Sequence, residues 1–364
     1  MTVLAPQLGL PEPAEAREPA EVRGTGRDDV RLLVARRDSG RIDHANFPEL
    51  ADLLEPGDLI VINTSATLPA AIPVRGPDEV LRLHLSTPAA TPFLGEPDDA
   101  RRLHASTPAA RDADGGDWLV ELRRRGERFT GGRPGQVLLL PAGGTAVLLE
   151  RPNGGRLWRA SLRLPAPLHD YLARHGEPIR YRHADRAWPL ERYQTVYATE
   201  PGSAEMPSAG RAFTPELVTR LVAGGVDVAP VVLHTGVSSL EAGERPYPEW
   251  YRVPRSTAAR VNLARELGGR VIAVGTTVVR ALESAIGPDG RVTKGEGRTD
   301  LVIEPNTPIR ALDGLLSGFH DRDSSHLAML EAIAGADLLE RSYAEAARAG
   351  YLRHEFGDLH LLLP

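Results

Sequence analysis

Val271-Ile272-Ala273-Val274-Gly275-Thr276-Thr277-Val278-Val279-Arg280 is the stretch on which the fold turns. Four apolar residues fit a buried strand, a glycine turns the chain, and apolar spacing of helical type resumes at Val278. A strand feeding a helix through Gly-Thr-Thr belongs to α/β architecture. The free N–H groups at such a helix start, with two hydroxyls beside them, suit an anion or a carboxylate. A capped strand–helix turn without a ligand is the alternative. Arg280 and Glu283 are three residues apart, a spacing that suits an ion pair on one helix face.

Outward from this unit the alternation continues. Pro215–Ala223 is amphipathic and stops at Gly224-Gly225, Val226–Leu233 is a strand, Ala258–Leu267 a helix, and Arg270–Val274 the next strand. Val30–Arg36 reads as a strand, Phe47–Leu54 as a helix ending at Pro56-Gly57, and Leu59–Ile62 as a buried strand. Between them the character changes. Val80–Leu85, Trp118–Arg123, Gln136–Leu140, Thr145–Glu150 and Leu157–Leu162 are short, turn-bounded and β-like. The expected fold class is therefore a mixed-sheet α/β main domain, residues 28–69 and 166–364, with an inserted small antiparallel β-barrel domain, residues 70–165. Residues 1–27, rich in Pro and Glu, are expected to be irregular. The near-repeat of Arg82–Ala90 in Arg102–Ala110 fits two strands of a duplicated hairpin.

Composition excludes several functions. The chain of 364 residues has no cysteine, which rules out disulfides, thiolate metal sites and cysteine nucleophiles. A net charge of −6 leaves any nucleic-acid contact to a local basic patch, for which Arg123, Arg124, Arg125 and Arg128 are the candidate. Arginine exceeds lysine, of which Lys294 is the single example, as a GC-rich genome would produce. No apolar run approaches the ~20 residues of a spanning helix, so the expected setting is the cytoplasm, away from membranes.

Two further segments carry chemistry. Val231-Val232-Leu233-His234-Thr235-Gly236 ends a strand in a histidine, where ligands of α/β sheets gather and where an imidazole can move protons near neutral pH. A strand-end imidazole bonded to a carbonyl is the alternative. Glu191-Arg192-Tyr193-Gln194-Thr195-Val196-Tyr197 alternates polar and aromatic residues like a half-exposed strand. His320-Asp321-Arg322-Asp323 with His326 offers nitrogen and oxygen donors, though paired histidines at such spacing are commonly accidental. A Walker-type loop and a strand-following Gly-x-Gly-x-x-Gly are absent.

These segments, in order, resemble the S-adenosylmethionine:tRNA ribosyltransferase-isomerases of queuosine biosynthesis. Arg192–Ala198 is similar to that family's Arg-Tyr-Gln-Thr-Val-Tyr signature, and Pro207-Ser208-Ala209-Gly210-Arg211-Ala212-Phe213-Thr214 to its Pro-Thr-Ala-Gly-Leu-His-Phe-Thr. Leu233–Gly236 resembles its Leu-His-Val-Gly, and Arg270–Ser284 its Arg-Val-Ile-Ala-Val-Gly-Thr-Thr-x-x-Arg-x-Leu-Glu-Ser. Pro56–Leu59 with Asn63, Phe319-His320 and Phe356-Gly357-Asp358 fit its remaining motifs. The resemblance implies an α/β domain with an inserted β-barrel, S-adenosylmethionine as co-substrate, tRNA as partner, no metal, and transfer of a rearranged ribosyl group to a 7-deazaguanine base. It places Gly275, Thr276 and Thr277 on the donor's polar end with Arg280 and Glu283 in support. It places Tyr193 and Gln194 on a base or ribose, Gly210 among the residues that bind substrate or donor, Asn63 in the site loop, and His234 and Glu249 in proton transfer.

The chain departs from the pattern in places. The family's two loop arginines are Ala66 and Ala71, the histidine of Gly-Leu-His-Phe is Ala212 with Arg211 beside it, and Glu244–Glu249 lacks two histidines while keeping Glu249. The Gly-Ala-Gly-Thr-Phe after Leu-His-Val gives way to a stretch with Val237-Ser238-Ser239-Leu240, and Tyr-Pro-Gly-Phe to Glu304-Pro305-Asn306-Thr307. Three functions stay open on the sequence: the tRNA-directed transfer, a related S-adenosylmethionine chemistry on a small-molecule acceptor, and nucleoside binding without catalysis.

Overall fold

The computed structural model describes residues 13–75, 81–89, 115–180, 183–184, 186–237, 247–321 and 324–364. The second copy of the near-repeat, Arg102–Ala110, the segment Ser238–Pro246, and Arg322 and Asp323 lie outside them.

Among the described residues, nine strands form the main sheet: β1 Arg31–Arg36, β2 Ile42–Asn46, β3 Leu59–Asn63, β4 Asp227–Leu233, β5 Glu249–Val253, β6 Val271–Val274, β7 Gly295–Thr299, β8 Gly314–Gly318 and β9 Leu359–Leu363. Their order is β7-β5-β4-β3-β6-β8-β9-β1-β2. The central β4-β3-β6-β8 pairs are parallel, and both flanks bring in antiparallel partners. The two faces divide by strict alternation. Leu59, Val61, Val271 and Ala273 enter one core, with Val278, Val279 and Leu282, whereas Ile60, Ile62, Ile272 and Val274 enter the other, with Phe213, Leu217 and Leu221.

Helices α1 Pro215–Ala223, α2 Arg255–Glu266, α3 Thr276–Glu283, α4 Ser325–Ala334 and α5 Ala336–Arg348 cover these faces. The first begins where Thr214 Oγ1 accepts the N–H of Leu217 at 3.1 Å and proline fills the first helical position. Gly275 sits at φ +90°, a backbone conformation that favours glycine, and so lets β6 turn directly into α3.

Residues 71–163 contribute a curled antiparallel sheet in the order Val137–Leu139, Thr145–Glu150, Trp158–Arg163, Gly115–Arg124, Leu81–Pro88, Ala71–Pro73. A bridge between Arg75 and Leu139 brings its two edges together. Leu83, Leu85, Val120, Leu148 and Ala160 fill its concave side.

Two expectations change. Residues 190–193 form a 3-10 turn rather than part of a strand, because the polar–aromatic alternation serves side-chain contacts and not a ladder. Within residues 13–27, Ala14–Glu15 pairs in parallel with Leu352–Arg353, and Ala20–Arg23 makes one helical turn, so this part of the N-terminal segment is docked.

At the amino ends of the central strands, buried Asp58 holds β3 to β6. Its Oδ1 accepts Arg270 N and Nε at 3.0 Å, and its Oδ2 accepts Glu55 N at 2.8 Å and Arg270 Nη2 at 2.5 Å. Removing the guanidinium would leave a buried carboxylate without its cation. Arg270→Ala is therefore expected to lower stability by about 3 kcal/mol, read as a reduced urea midpoint at unchanged m-value.

Candidate active site at the carboxyl ends of the parallel strands

The carboxyl end of β3 carries Asn63, whose buried amide is fully engaged. Its Oδ1 accepts Ser65 N at 3.1 Å and Leu233 N at 3.0 Å, while Nδ2 donates to Leu233 O at 2.9 Å and Thr277 Oγ1 at 3.3 Å. One side chain thus joins β3, the end of β4 and the first turn of α3. Thr277 and Thr276 lie at that helix start beside Gly275, where the first-turn N–H groups have no intrahelical acceptor.

His234 follows β4 directly. Its Nδ1 is 2.7 Å from Ser65 Oγ, which is 2.6 Å from Ser203 Oγ, and Ser203 Oγ accepts Thr235 N at 3.1 Å. The ring stacks on Trp250, with centroids 5.1 Å apart. Gly202 allows this, since a Cβ there would fall 2.4 Å from His234 Nδ1. Burial first, and then the positive Arg252, pull the imidazole down to about 4, so it is neutral at pH 7. Neither Ser65 nor Ser203 stood out in the sequence. Their role depends on Ser65–Thr67 pairing with Glu200–Ser203, a contact 138 residues long.

Glu249, at the start of β5, accepts Gly236 N through Oε1 at 2.7 Å and pairs through Oε2 with Arg280 Nη1. Arg280 also donates to Leu301 O at 3.1 Å and Thr299 O at 3.3 Å. The expected Arg280–Glu283 pair is not what forms. Glu283 Oε1 instead accepts the N–H groups of Arg310 and Ala311, both at 2.8 Å, and pins the loop before β8.

Of the remaining expected site residues, Tyr193 and Gln194 contact Thr67, whereas Gly210 lies in a turn beside Gly275, where Ala209 Cβ would be 3.4 Å from a Cβ on Gly275. Gln194 pairs its amide with the backbone of Thr67, accepting from N at 2.9 Å and donating to O at 2.8 Å. Tyr193 is buried, its carbonyl accepts Thr67 Oγ1 at 2.8 Å, and its ring lies 5.5 Å from that of Phe356. A Cβ on Gly210 would fall 2.0 Å from Tyr197 Oη. Arg211 is buried and gives Nη2 to both oxygens of Glu21 at 2.8 and 2.6 Å and Nε to Arg192 O at 2.7 Å. It anchors the N-terminal segment. A small, solvent-open cleft lies beside it, lined also by Arg27, Ser208, Gly318 and Phe356.

The altered positions and basic cluster also have places. Ala66 is half-buried opposite Pro201, and Ala71 is buried opposite His84 in the core of the curled sheet. Arg123 and Arg128 face buried Glu121 at 2.8 and 3.5 Å, with Arg156 at 3.6 Å, and Arg124 covers the ring of Phe129 at 4.0 Å. Arg125 and Gly126, at φ +54° and +83°, form the hairpin turn. The cluster is thus partly neutralised from beneath. His320 Nε2 lies 2.8 Å from Ser317 Oγ, and Asp321 pairs with Arg353.

The fold and this site define an α/β protein with a polar site at the carboxyl ends of parallel strands, of the kind that holds a nucleotide-like ligand. The sequence model of a family described as "Queuosine biosynthesis protein" matches residues 7–362. The S-adenosylmethionine:tRNA ribosyltransferase-isomerase of Geobacter sulfurreducens is 35% identical over 361 residues, 96% of each chain. That of Thermotoga maritima is 33% identical over 371 residues, 97% of each chain. A crystal structure of S-adenosylmethionine tRNA ribosyltransferase from Thermotoga maritima has a TM-score of 0.51 at 28% identity, covering 99% of this chain and 98% of that one. The chain belongs to this queuosine biosynthesis family.

Several imidazoles are held neutral by burial. His84 and His360 are lowered to about 3, and His234 and His326 to about 4, from 6.5. The unfolded chain binds these protons first, so each group contributes stability that is intact above pH 6.5 and is lost as the pH falls towards 4 and then 3. Burial alone would raise Glu21, but its bond to Arg211 prevails and brings it to about 2. That adds a loss beginning below pH 4.5. Denaturant melts should therefore show stability flat above neutrality and falling steadily below pH 6.5, with the slope below pH 4.5 reduced in Glu21→Gln.

Proposed function

We propose that this chain is an S-adenosylmethionine:tRNA ribosyltransferase-isomerase, which moves the ribosyl group of S-adenosylmethionine onto a 7-deazaguanine base of tRNA and rearranges it. The observation that carries the reading is the convergence of Asn63, His234, the Glu249–Arg280 pair and Gly275–Thr277 on one strand edge, in a chain whose relatives of that name match it along 96% of its length. The corresponding division of the chain is a main domain of residues 28–69 and 166–364, with residues 70–165 as an inserted barrel.

The positive sulfonium of the donor acidifies its adjacent 5′ carbon. Once a base removes that proton, the ribose ring can open with loss of adenine. The aminomethyl nitrogen of the modified base bonds to the ribosyl carbon that adenine has left, and methionine is the second leaving group, expelled with the electrons of its carbon–sulfur bond as the opened ribosyl chain closes on itself. The protein's tasks are to hold two substrates in register and to move protons. In this reading the start of α3 receives the donor's polar end. Neutral His234, fixed by Ser65, handles a proton. Glu249 acts by fixing Arg280 and the Gly236 turn, since both its oxygens already have partners. Tyr193 and Gln194 shape the floor beneath the acceptor.

The purified chain, incubated with S-adenosylmethionine and tRNA carrying the aminomethyl precursor base, is expected to release adenine and methionine only when both substrates are present. His234→Ala should lower kcat by about 10²-fold or more. Glu249→Gln, which keeps an acceptor for Gly236, should act mainly on KM. No adenine release with the wild-type chain would overturn the assignment, and full kcat in His234→Ala would remove the histidine from it.

A further inference from the structure

Just beyond the carboxyl end of β8, His183, His354 and Glu355 meet. One donor atom from each lies within 4.8 Å of the others. His183 Nε2 is 2.7 Å from Glu355 Oε2, and the two imidazoles stack at 4.1 Å between centroids, 13° from parallel. Two more carboxylates approach the group, with Glu15 Oε1 at 3.7 Å and Asp321 Oδ1 at 3.8 Å from His354 Nε2. The side chains of His183 and His354 are 10% and 14% exposed, whereas Glu15 and Asp321 stand at the solvent side of the cluster.

The backbone holds these groups in place. Consecutive side chains of an extended chain point apart. His354 has φ +72°, a left-handed conformation rare for a residue with a Cβ, and this bend lets residues 354 and 355 serve one locus. The turn is clamped at its neck. Asp358 N donates to Leu352 O at 2.8 Å, and Asp358 Oδ2 accepts Leu352 N at 2.9 Å. Gly357 fits here because a Cβ would fall 2.4 Å from Leu352 O.

The geometry points to a binding site for one divalent transition-metal ion of the zinc type, with His183, His354 and Glu355 as ligands and Glu15 or Asp321 closing the fourth position. Two imidazole nitrogens with carboxylate oxygens suit zinc, cobalt or nickel, whereas magnesium and calcium favour all-oxygen sets. Two carboxylates would balance the ion's charge. Bonds of about 2.1 Å place tetrahedral ligand atoms about 3.4 Å apart. The His183–Glu355 contact must therefore open slightly, one ring must tilt from the stack, and the widest separations must close by about an ångström. Arg353, which contacts both Glu15 and Asp321, stays with whichever carboxylate the ion leaves. Four protein ligands make a closed site, which stabilises rather than catalyses. It would staple the N-terminal strand, the segment before residue 190 and the C-terminal turn at the wall of the cleft that His354 and Glu355 line. Zinc binding here does not rest on the reaction proposed above.

The test uses the full-length chain, treated with chelator and then freed of it. Calorimetric titration with zinc chloride is expected to give one ion per chain, and excess zinc to raise the melting temperature by roughly 5 °C. His183→Ala and Glu355→Gln should each weaken zinc binding at least tenfold and abolish the melting shift. His354→Asn, in which asparagine tolerates the left-handed backbone, should do the same while melting near the wild type without metal. His44→Ala, at a separate imidazole–carboxylate pair on Glu345, should bind zinc like the wild type. Since the chain has no cysteine, thiolates cannot supply the signal. Absence of stoichiometric zinc binding, or binding unchanged in all three ligand variants, would overturn the assignment.

Discussion

The amide of Asn63 is the constraint on which the strand-end site depends. A buried amide offers two donors and two acceptor positions, and every one unpaired in the interior is costly. Here all four are used, between the turn into Ser65, the end of β4 and the first turn of α3. Three elements distant in sequence are thereby fixed within hydrogen-bonding distance of one another. Ser65 follows from that placement, and through Ser65 the orientation of His234. At the opposite ends of the same strands Asp58 repeats the device with a charged group, so the central parallel strands are tied at both edges. A residue expected to touch substrate is in this structure the part that sets the distances between those that would.

Much of the fold is legible because it is written locally. Pro215–Ala223 has the bounds its sequence implies, since Thr214, Pro215 and the glycine pair mark both ends within the segment. Thr145–Glu150 is likewise the strand its alternation describes. The same logic misleads at Arg192–Tyr197. Burial does alternate there through Tyr193 and Thr195, but the segment meets Thr67 through the Gln194 amide and the Tyr193 carbonyl, without forming a backbone ladder. Periodicity reports which residues are inside and is silent about what lies next to them. The resemblance to a known family gave the family itself, which no periodicity argument reaches.

The pairings in the site were less legible for a related reason. Helical spacing puts Glu283 beside Arg280, yet the guanidinium goes to Glu249, 31 residues away, and Glu283 to backbone donors 27 and 28 residues on. Local proximity is worth only a few tenths of a kcal/mol on an exposed helix, too little to outweigh half-buried partners supplied by the fold. The basic cluster shows the same limit. Its arginines are adjacent in sequence, but Glu121, between them and the core, decides how much of their charge reaches solvent.

The place of β1 has a consequence for the making of the chain. This strand enters the main sheet by pairing with β9, the last strand, across about 320 residues. At roughly 5–20 residues per second the ribosome needs on the order of 15 to 65 s to supply that partner. For that interval the hairpin of β1 and β2 leaves the β9-facing edge of β1 and an apolar face exposed. Any protein that shields nascent chains would find its opportunity there. Loss of β9 would therefore be felt at β1, and the sheet cannot close before residues 359–363 have been made.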